Sequence, residues 1–304
     1  MKVAAIDIGT NSTRLLIVDY DNGDYKVLER DIIITRLGEE VDKNKFLKEN
    51  AIERTITALE KYDKKIKKHN VINVKVVGTS ALRDVNNKKD FIKPLKKRTS
   101  FKIDIISGNK EAKYIYKGVK TDIKNNDFLI IDIGGGSTEF IWKNQDEIIK
   151  KSLDIGAVRL TERIIEDSRK PLSNSDQKNL QNEINKILNE QDIINFKTKK
   201  LIGVGGTITT LAAMDLGLEE YDSKKIHQYL LLKADIDTIC HKLSNSSLSE
   251  RKRMKGLNEK RADIITAGSI ILKSIIEILD IDKIAISERD ILFGLINEVI
   301  EETL

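Results

Sequence analysis

Apolar residues fall along the chain in short blocks, and the order of those blocks repeats. Lys2 to Ile8, Thr13 to Tyr20 and Tyr25 to Thr35 read as three strands, with Asp21-Asn22-Gly23-Asp24 as a hairpin turn. From Leu47, apolar residues at 52, 56, 59, 62 and 66 trace one face of a long helix. Val74 to Val77 is a strand and Asp90 to Lys97 a short helix. Phe101 to Ile106 is another strand, its Phe101, Ile103 and Ile105 alternating with Lys102 and Asp104. Ser107 then caps a helix running to about Val119.

The second half restarts in the same way. Phe128 to Ile133, Thr138 to Lys143 and Glu147 to Leu153 repeat the meander, and helices follow near Arg159 to Glu166 and Ser175 to Glu190. A strand at Lys200 to Val204 leads into a helix through Gly205-Gly206-Thr207. Arg261 to Leu279 reads as a buried helix, Lys283 to Ile286 as a strand, and Asp290 to Glu301 as a closing amphipathic helix. Two tandem βββαβα units predict an α/β fold of two duplicated domains, each a mixed sheet with flanking helices, and a cleft between them. The polar run Asn125-Asn126-Asp127 is the natural boundary, giving domains 1–124 and 125–304, with the last helix returning to pack on the first.

The length of 304 residues suits two such domains, and 40% hydrophobic with 33% charged residues and two prolines describes a chain able to bury cores. A net charge of +5 favours an anionic substrate only weakly. The single Cys240 excludes an internal disulfide, and the apolar Ile236, Ile239 and Leu243 around it predict a core residue. Met1 to Asp7 is already a strand without signal-peptide character, and Ile264 to Leu279 is too short and too polar for a membrane span. These features predict a cytoplasmic protein with neither a membrane nor a nucleic-acid partner. His69, His227 and His241 lack metal-ligand spacing, so a structural zinc site is not expected.

The repeat carries candidate chemistry. Ile6-Asp-Ile-Gly-Thr-Asn-Ser-Thr-Arg14 returns as Ile131-Asp-Ile-Gly-Gly-Gly-Ser-Thr-Glu139, with six of nine positions identical and an apolar run on either side of each copy. An acid, glycines and hydroxyls in a tight turn between strands form a phosphate loop. Backbone N–H groups and hydroxyls donate, glycine permits close approach of the main chain, and the acid suits a hydrated Mg²⁺. In the second copy Asp132 and Glu139 flank the turn as candidate metal ligands or water-positioning groups, around the donors Gly134, Gly135, Gly136, Ser137 and Thr138. In the first, Asp7 is the candidate ligand and Asn11, Ser12 and Thr13 the donors, while Arg14 is either a phosphate clamp or a solvated strand residue. Gly203-Val-Gly-Gly-Thr-Ile-Thr209 is a third turn, in which Gly205, Gly206 and Thr207 either cradle a phosphate or serve close helix–strand packing. Gly78 to Asp84, read alone, is an ordinary helix cap, and Glu111 falls in a first helical turn where acids are favoured anyway. The lysine-rich stretches read as solvated faces, a minority of them lining a polyanion channel.

The paired Asp-x-Gly-x-x-Ser/Thr loops resemble the superfamily that unites actin, Hsp70-type ATPases and sugar kinases. More narrowly, the chain resembles the exopolyphosphatase/guanosine pentaphosphate phosphohydrolase family, in collinear blocks at Asp7–Arg14, Gly78–Asp84, Ile106–Val119, Ile131–Glu139, Ser152–Glu162, Gly203–Ala212, Gly256–Gly268 and Ser287–Gly294. The resemblance implies two actin-like (ribonuclease H-like) domains with the active site in the interdomain cleft. It implies Glu111 as the base that activates water, Arg83 as a contact to the reacting phosphate, and Asp132 and Glu139 as holders of Mg²⁺ and of the water. The implied substrate is inorganic polyphosphate or guanosine pentaphosphate, with Mg²⁺ as cofactor, Mn²⁺ as its alternative and a monovalent cation left open. A homodimer would extend a polyanion path. Asn109-Lys110 and Ser287-Glu288-Arg289-Asp290 depart from the usual family pattern, and no His-Asp pair marks the helical extension of longer members. An ATP-dependent kinase with Asp132 as base, or a non-catalytic actin-like sensor, are the competing readings. The retained acids Glu111, Asp132 and Glu139 argue against the sensor, since an anion binder gains by losing carboxylates.

Overall fold

The computed structural model describes residues 1–123, 127–191, 193 and 200–303, without the side chains of 42 and 43. These residues divide into two units, Met1–Asp122 with Arg289–Leu304, and Ile123–Glu288. The expected boundary at Asn125-Asn126 lies outside the described residues.

The first unit is built on a mixed sheet in the order β3-β2-β1-β4-β5. Its strands are β1 (Lys2–Ile8), β2 (Ser12–Asp21), β3 (Asp24–Ile34), β4 (Asn73–Gly78) and β5 (Ile103–Ile105). Asn22 and Gly23, at φ 47° and 99°, close the β2–β3 hairpin, as a turn with two left-handed positions requires. The helices are α1 (Val41–Asn44), α2 (Glu49–Lys68), α3 (Ser80–Arg83), α4 (Lys88–Arg98) and α5 (Gly108–Lys120). On α2 the buried residues include Ile52, Ile56, Leu59, Tyr62 and Ile66, the stripe expected from their spacing, and these enter one core with Ile6, Leu15 and Ile17 of the sheet. β5 is shorter than the expected Phe101–Ile106 because β4 offers it a ladder only from Val76 to Gly78.

The second unit has a six-stranded mixed sheet in the order β10-β11-β9-β6-β7-β8. The strands are β6 (Leu129–Ile133), β7 (Thr138–Asn144), β8 (Glu147–Leu153), β9 (Leu201–Val204), β10 (Leu230–Leu232) and β11 (Lys283–Ile286). Around it lie α6 (Ala157–Ile164), α7 (Asn174–Glu190), α8 (Gly205–Asp215), α9 (Ser223–Ile226), α10 (Lys233–Ser244), α11 (Leu248–Arg251) and α12 (Ile265–Ile278). β10 is an addition to the sequence reading: three leucines carry no alternation to reveal a strand, and Leu230 and Leu232 stay exposed on the sheet edge. The helix expected from Arg261 starts only at Ile265, because Asn258 caps a separate 3-10 turn, Glu259–Arg261. Cys240 lies in the core of this unit on α10, where burial pushes its thiol up to about 12 and removes it from nucleophilic chemistry.

The last helix, α13 (Ile291–Thr303), packs on α5 and β1 of the first unit. Gly118 and Gly294 make that approach possible, since a Cβ at either would overlap the backbone of Asp290 or Tyr114. Fold class therefore follows the expectation: two mixed sheets, each flanked by helices.

Candidate active site

Each copy of the repeated motif folds as a strand, a tight turn and an antiparallel strand in the same register. Gly9 N donates to Ser12 O at 3.0 Å, and Gly134 N donates to Ser137 O at 2.9 Å. Asp7 is paired across the ladder with Arg14, and Asp132 with Glu139. Each turn has two of its carbonyls bonded to chain beyond it, offset by one position between the copies. Thr10 O accepts from Gly38 N, and Asn11 O accepts from Thr35 N and Arg36 N. In the second copy Gly134 O accepts from Ala157 N, and Gly135 O from Val158 N and Arg159 N, so this turn caps α6. With the carbonyls committed to the following segment, the N–H side of each turn is the side left for an anion.

In the first unit the ends of three parallel strands carry the expected residues together. Ile8 pairs with Gly78 and Gly78 with Ile105, so the Gly9–Ser12 turn, Thr79–Arg83 and Ser107 share one edge of the sheet. Such carboxyl ends are where open α/β sheets bind ligands. Thr10 Oγ1 and Ser80 Oγ lie 3.0 Å apart, which ties the turn to α3. Thr79 makes no side-chain cap; its hydroxyl donates to Ile8 O instead. Arg83 Nη1 donates to Glu111 Oε2 at 3.2 Å and to Ile106 O at 3.3 Å, so the two residues singled out by the resemblance meet. Ser107 Oγ accepts from Lys110 N at 3.3 Å and sets the start of α5, which places Glu111 in the first turn.

Two polar atoms of the first turn are buried without a hydrogen-bond partner: Oδ1 of Asp7 and Nδ2 of Asn11. One is an acceptor and the other a donor. Burial pushes the Asp7 carboxyl above the ordinary carboxylate range despite the opposing pull of Arg14. Arg14 itself is neither solvated nor clear of other acids: Nε and Nη2 donate to Asp7 Oδ2 at 2.9 and 2.6 Å, and Nη1 donates to Asp290.

In the second unit Glu139 Oε1 accepts from Ser137 Oγ at 2.7 Å and from Ser152 Oγ at 2.9 Å, with Lys150 Nζ 3.4 Å away. Asp132 lies against the β9–α8 turn. Gly205 there has φ +83°, and a Cβ on it would overlap Asp132 Oδ1. A Cβ on Gly206 would overlap the Arg261 guanidinium. The left-handed φ requires glycine at 205, whereas the Arg261 side chain could move aside from a Cβ at 206; this turn stands at the N-terminus of α8.

The threonines behave differently from the other expected donors. Thr13 and Thr138 are fully buried; Thr13 Oγ1 lies 3.0 Å from Thr35 Oγ1, and Thr138 Oγ1 donates to Ile155 O at 2.6 Å. Both hydroxyls staple the turn to the chain behind it. Lys150 and Arg261 were not singled out in the sequence, and Asp290 only within the Ser287–Asp290 departure from the family pattern, although each touches an expected site residue.

Among the described residues no group of three His, Cys, Asp or Glu is arranged to hold a metal. Mg²⁺ does not need one, since it keeps several waters and takes one or two carboxylates plus substrate phosphate. The unpaired Asp7 Oδ1 and the space that Gly205 leaves for Asp132 Oδ1 fit that donor set within their own units. Glu139 fits it less well, because one of its oxygens is already loaded with donors.

The sequence profile of the Ppx/GppA phosphatase family matches residues 16–302. A bifunctional 3-dehydroquinate synthase/phosphatase of Fusobacterium nucleatum is 43% identical over 98% of this chain, which spans 46% of that longer protein. Exopolyphosphatase 2 of Mycobacterium tuberculosis is 32% identical over 97% of both chains. The crystal structure of an exopolyphosphatase from Cytophaga hutchinsonii superposes with a TM-score of 0.90 at 30% identity, covering 99% of this chain and 98% of that one. With this match over nearly its whole length, the two-domain actin-like chain belongs to the Ppx/GppA phosphatase family.

Proposed function

We propose that the chain is an exopolyphosphatase, which hydrolyses the terminal phosphoanhydride of linear inorganic polyphosphate and releases orthophosphate. The observation that carries this reading is the duplicated turn: two anion-ready backbones of the same register, the first with a buried donor and a buried acceptor unused by the protein. Family membership with relatives named exopolyphosphatase supports it.

In this reading the N–H groups of the turns, Asn11 Nδ2 and the Ser12 and Ser137 hydroxyls take the phosphate oxygens. Glu111 accepts a proton from water, whose oxygen forms the new bond to the terminal phosphorus while the bridging P–O bond breaks toward the shortened chain. Arg83 holds the Glu111 carboxylate in place and faces the phosphate. Mg²⁺ would supply neutralisation of phosphate charge, with Asp7 in the first unit and Asp132 in the second each fit, within its own unit, to offer such an ion an oxygen. Glu139 orients Ser137 and Ser152.

The test is phosphate release from long-chain polyphosphate, guanosine pentaphosphate and ATP, measured in parallel with Mg²⁺. Release from polyphosphate should fall by about two orders of magnitude or more in Glu111→Ala while substrate binding persists. A near-wild-type rate in that variant removes Glu111 as the base. Preference for the nucleotide would reassign the substrate, and silence on all three would leave the kinase or sensor readings.

A further inference from the structure

Asp290 sits at the entrance to α13, far along the chain from the first turn, yet its carboxylate is 4% exposed and both oxygens are used. Oδ1 accepts from Leu292 N at 3.0 Å, and Oδ2 accepts from Arg14 Nη1. Its position is fixed from behind, because α5 presents Gly118 to the Asp290 carbonyl at a distance no side chain would allow.

A guanidinium is a rigid planar fork. Facing a lone carboxylate, it ordinarily spreads two N–H groups over the two oxygens. Here one nitrogen is drawn to Asp290, and the two remaining donors, Nε and Nη2, converge on a single oxygen of Asp7. The other oxygen, Oδ1, is left buried and without a donor. Leaving such an atom unpaired costs about 1–3 kcal/mol, so buried polar groups are seldom left that way. A hard oxygen acceptor beside two carboxylates that share one arginine suits a divalent cation.

We propose that Asp290 is a positioning residue that steers Arg14 onto one oxygen of Asp7 and so keeps the other clear for a hydrated divalent cation. The proposal rests on the phosphohydrolase reading for its purpose, but the contact geometry carries it without any turnover.

The experiment is direct binding of Mn²⁺ to the purified full chain, followed by the paramagnetic resonance signal of the free ion, with no substrate present. Asp290→Asn keeps an oxygen to cap Leu292 but loses the charge that anchors Nη1, so Arg14 can close over both oxygens of Asp7. Affinity for Mn²⁺ at this site should fall about tenfold, the usual penalty for losing an outer-shell partner. Asp290→Glu should recover part of it, and Asp7→Asn should abolish it. A structural role alone would lower the melting temperature of Asp290→Asn without moving the affinity of the folded protein. If Asp290→Asn does not fold, Asp290→Ser, which also caps the helix, repeats the measurement. Unchanged affinity in the Asp290 variants, unchanged affinity in Asp7→Asn, or no Mn²⁺ binding by the wild type would each overturn the proposal. None of these outcomes decides whether the chain hydrolyses polyphosphate, which phosphate release measures separately.

Discussion

The two turns keep one backbone and solve its electrostatics in two ways. In the first, the strand acid Asp7 faces Arg14, and Arg14 faces a second acid, Asp290. In the second, the strand acid Asp132 faces another acid, Glu139, and the third partner is a base, Lys150. Each turn brings two acids and a cationic side chain together, but the arrangements differ. The first leaves an oxygen of the strand acid itself unpaired. The second loads an oxygen of the partner acid with Ser137 and Ser152, and thereby fixes the direction of a hydroxyl in the turn. The two copies thus share one backbone turn, while the side chains around each are arranged differently.

The sharpest way to break this comparison is at the glycine that packs on each turn from the segment behind it. A Cβ on Gly156 would run into the backbone of Gly135 and Gly136, whereas a Cβ on Gly38 would meet the side chain of Thr10. Backbone cannot step aside, and a side chain can. Gly156→Ala should therefore cost about 3 kcal/mol and Gly38→Ala nearer 1, by urea denaturation of the purified chain. Gly156 has φ −140°, so backbone strain plays no part in the difference. Equal costs would mean that the triglycine turn yields as readily as the first.

A smaller effect separates the buried threonines. Thr138→Val leaves the Ile155 carbonyl unpaired, at a cost of about 1–2 kcal/mol, and no second substitution can remove a backbone acceptor. Thr13→Val should cost a similar amount, but adding Thr35→Val removes the orphaned hydroxyl as well and should restore most of the loss. Denaturation of the two single variants and the double variant reads this directly. A double variant as unstable as the sum of the singles would show that the Thr13–Thr35 contact is not a closed pair.

These threonines also show where the sequence was legible and where it was not. The strand–turn–strand repeat could be read because an apolar run, an acid and a glycine-bearing turn recur with the same spacing, and this local pattern was enough for the fold class. Strand parity was equally legible, since Thr13 and Thr138 neighbour Arg14 and Glu139 and so point to the opposite face. Counting every hydroxyl in the motif as a phosphate donor overlooked that alternation. Glu111 and Arg83 were singled out only through the family resemblance, because a first-turn acid and a Thr-Ser-Ala cap are locally ordinary. Asp290 was noted only as part of a departure from the family pattern: it meets Arg14 across 276 residues, and nothing within its own segment announces a carboxylate destined for the first turn. Arg261 and Lys150 escaped for the same reason, their contacts being set by tertiary packing.

The smallest effect tests the feature that only the first turn possesses, a partner delivered by a distant helix. α13 is tied down by Glu298, whose Oε2 accepts from Tyr114 at 2.6 Å and lies 2.9 Å from Lys75 Nζ. Burial alone would raise the Glu298 carboxyl, but the Tyr114 hydroxyl and the Lys75 ammonium outweigh it and hold the group below the usual glutamate range. A depressed carboxyl stabilises the fold above its unfolded value of about 4.5, and that contribution is lost as pH falls through the lower folded value. Glu298→Gln should therefore cost about 1 kcal/mol near pH 7, and the gap to wild type should close below about pH 4.5. Hydrogen exchange should report the loosening in α13 and α5 and leave the β6–β7 turn as protected as before. Equal loosening of both turns would mean that the second also depends on α13, and the division of labour between the two copies would have to be redrawn.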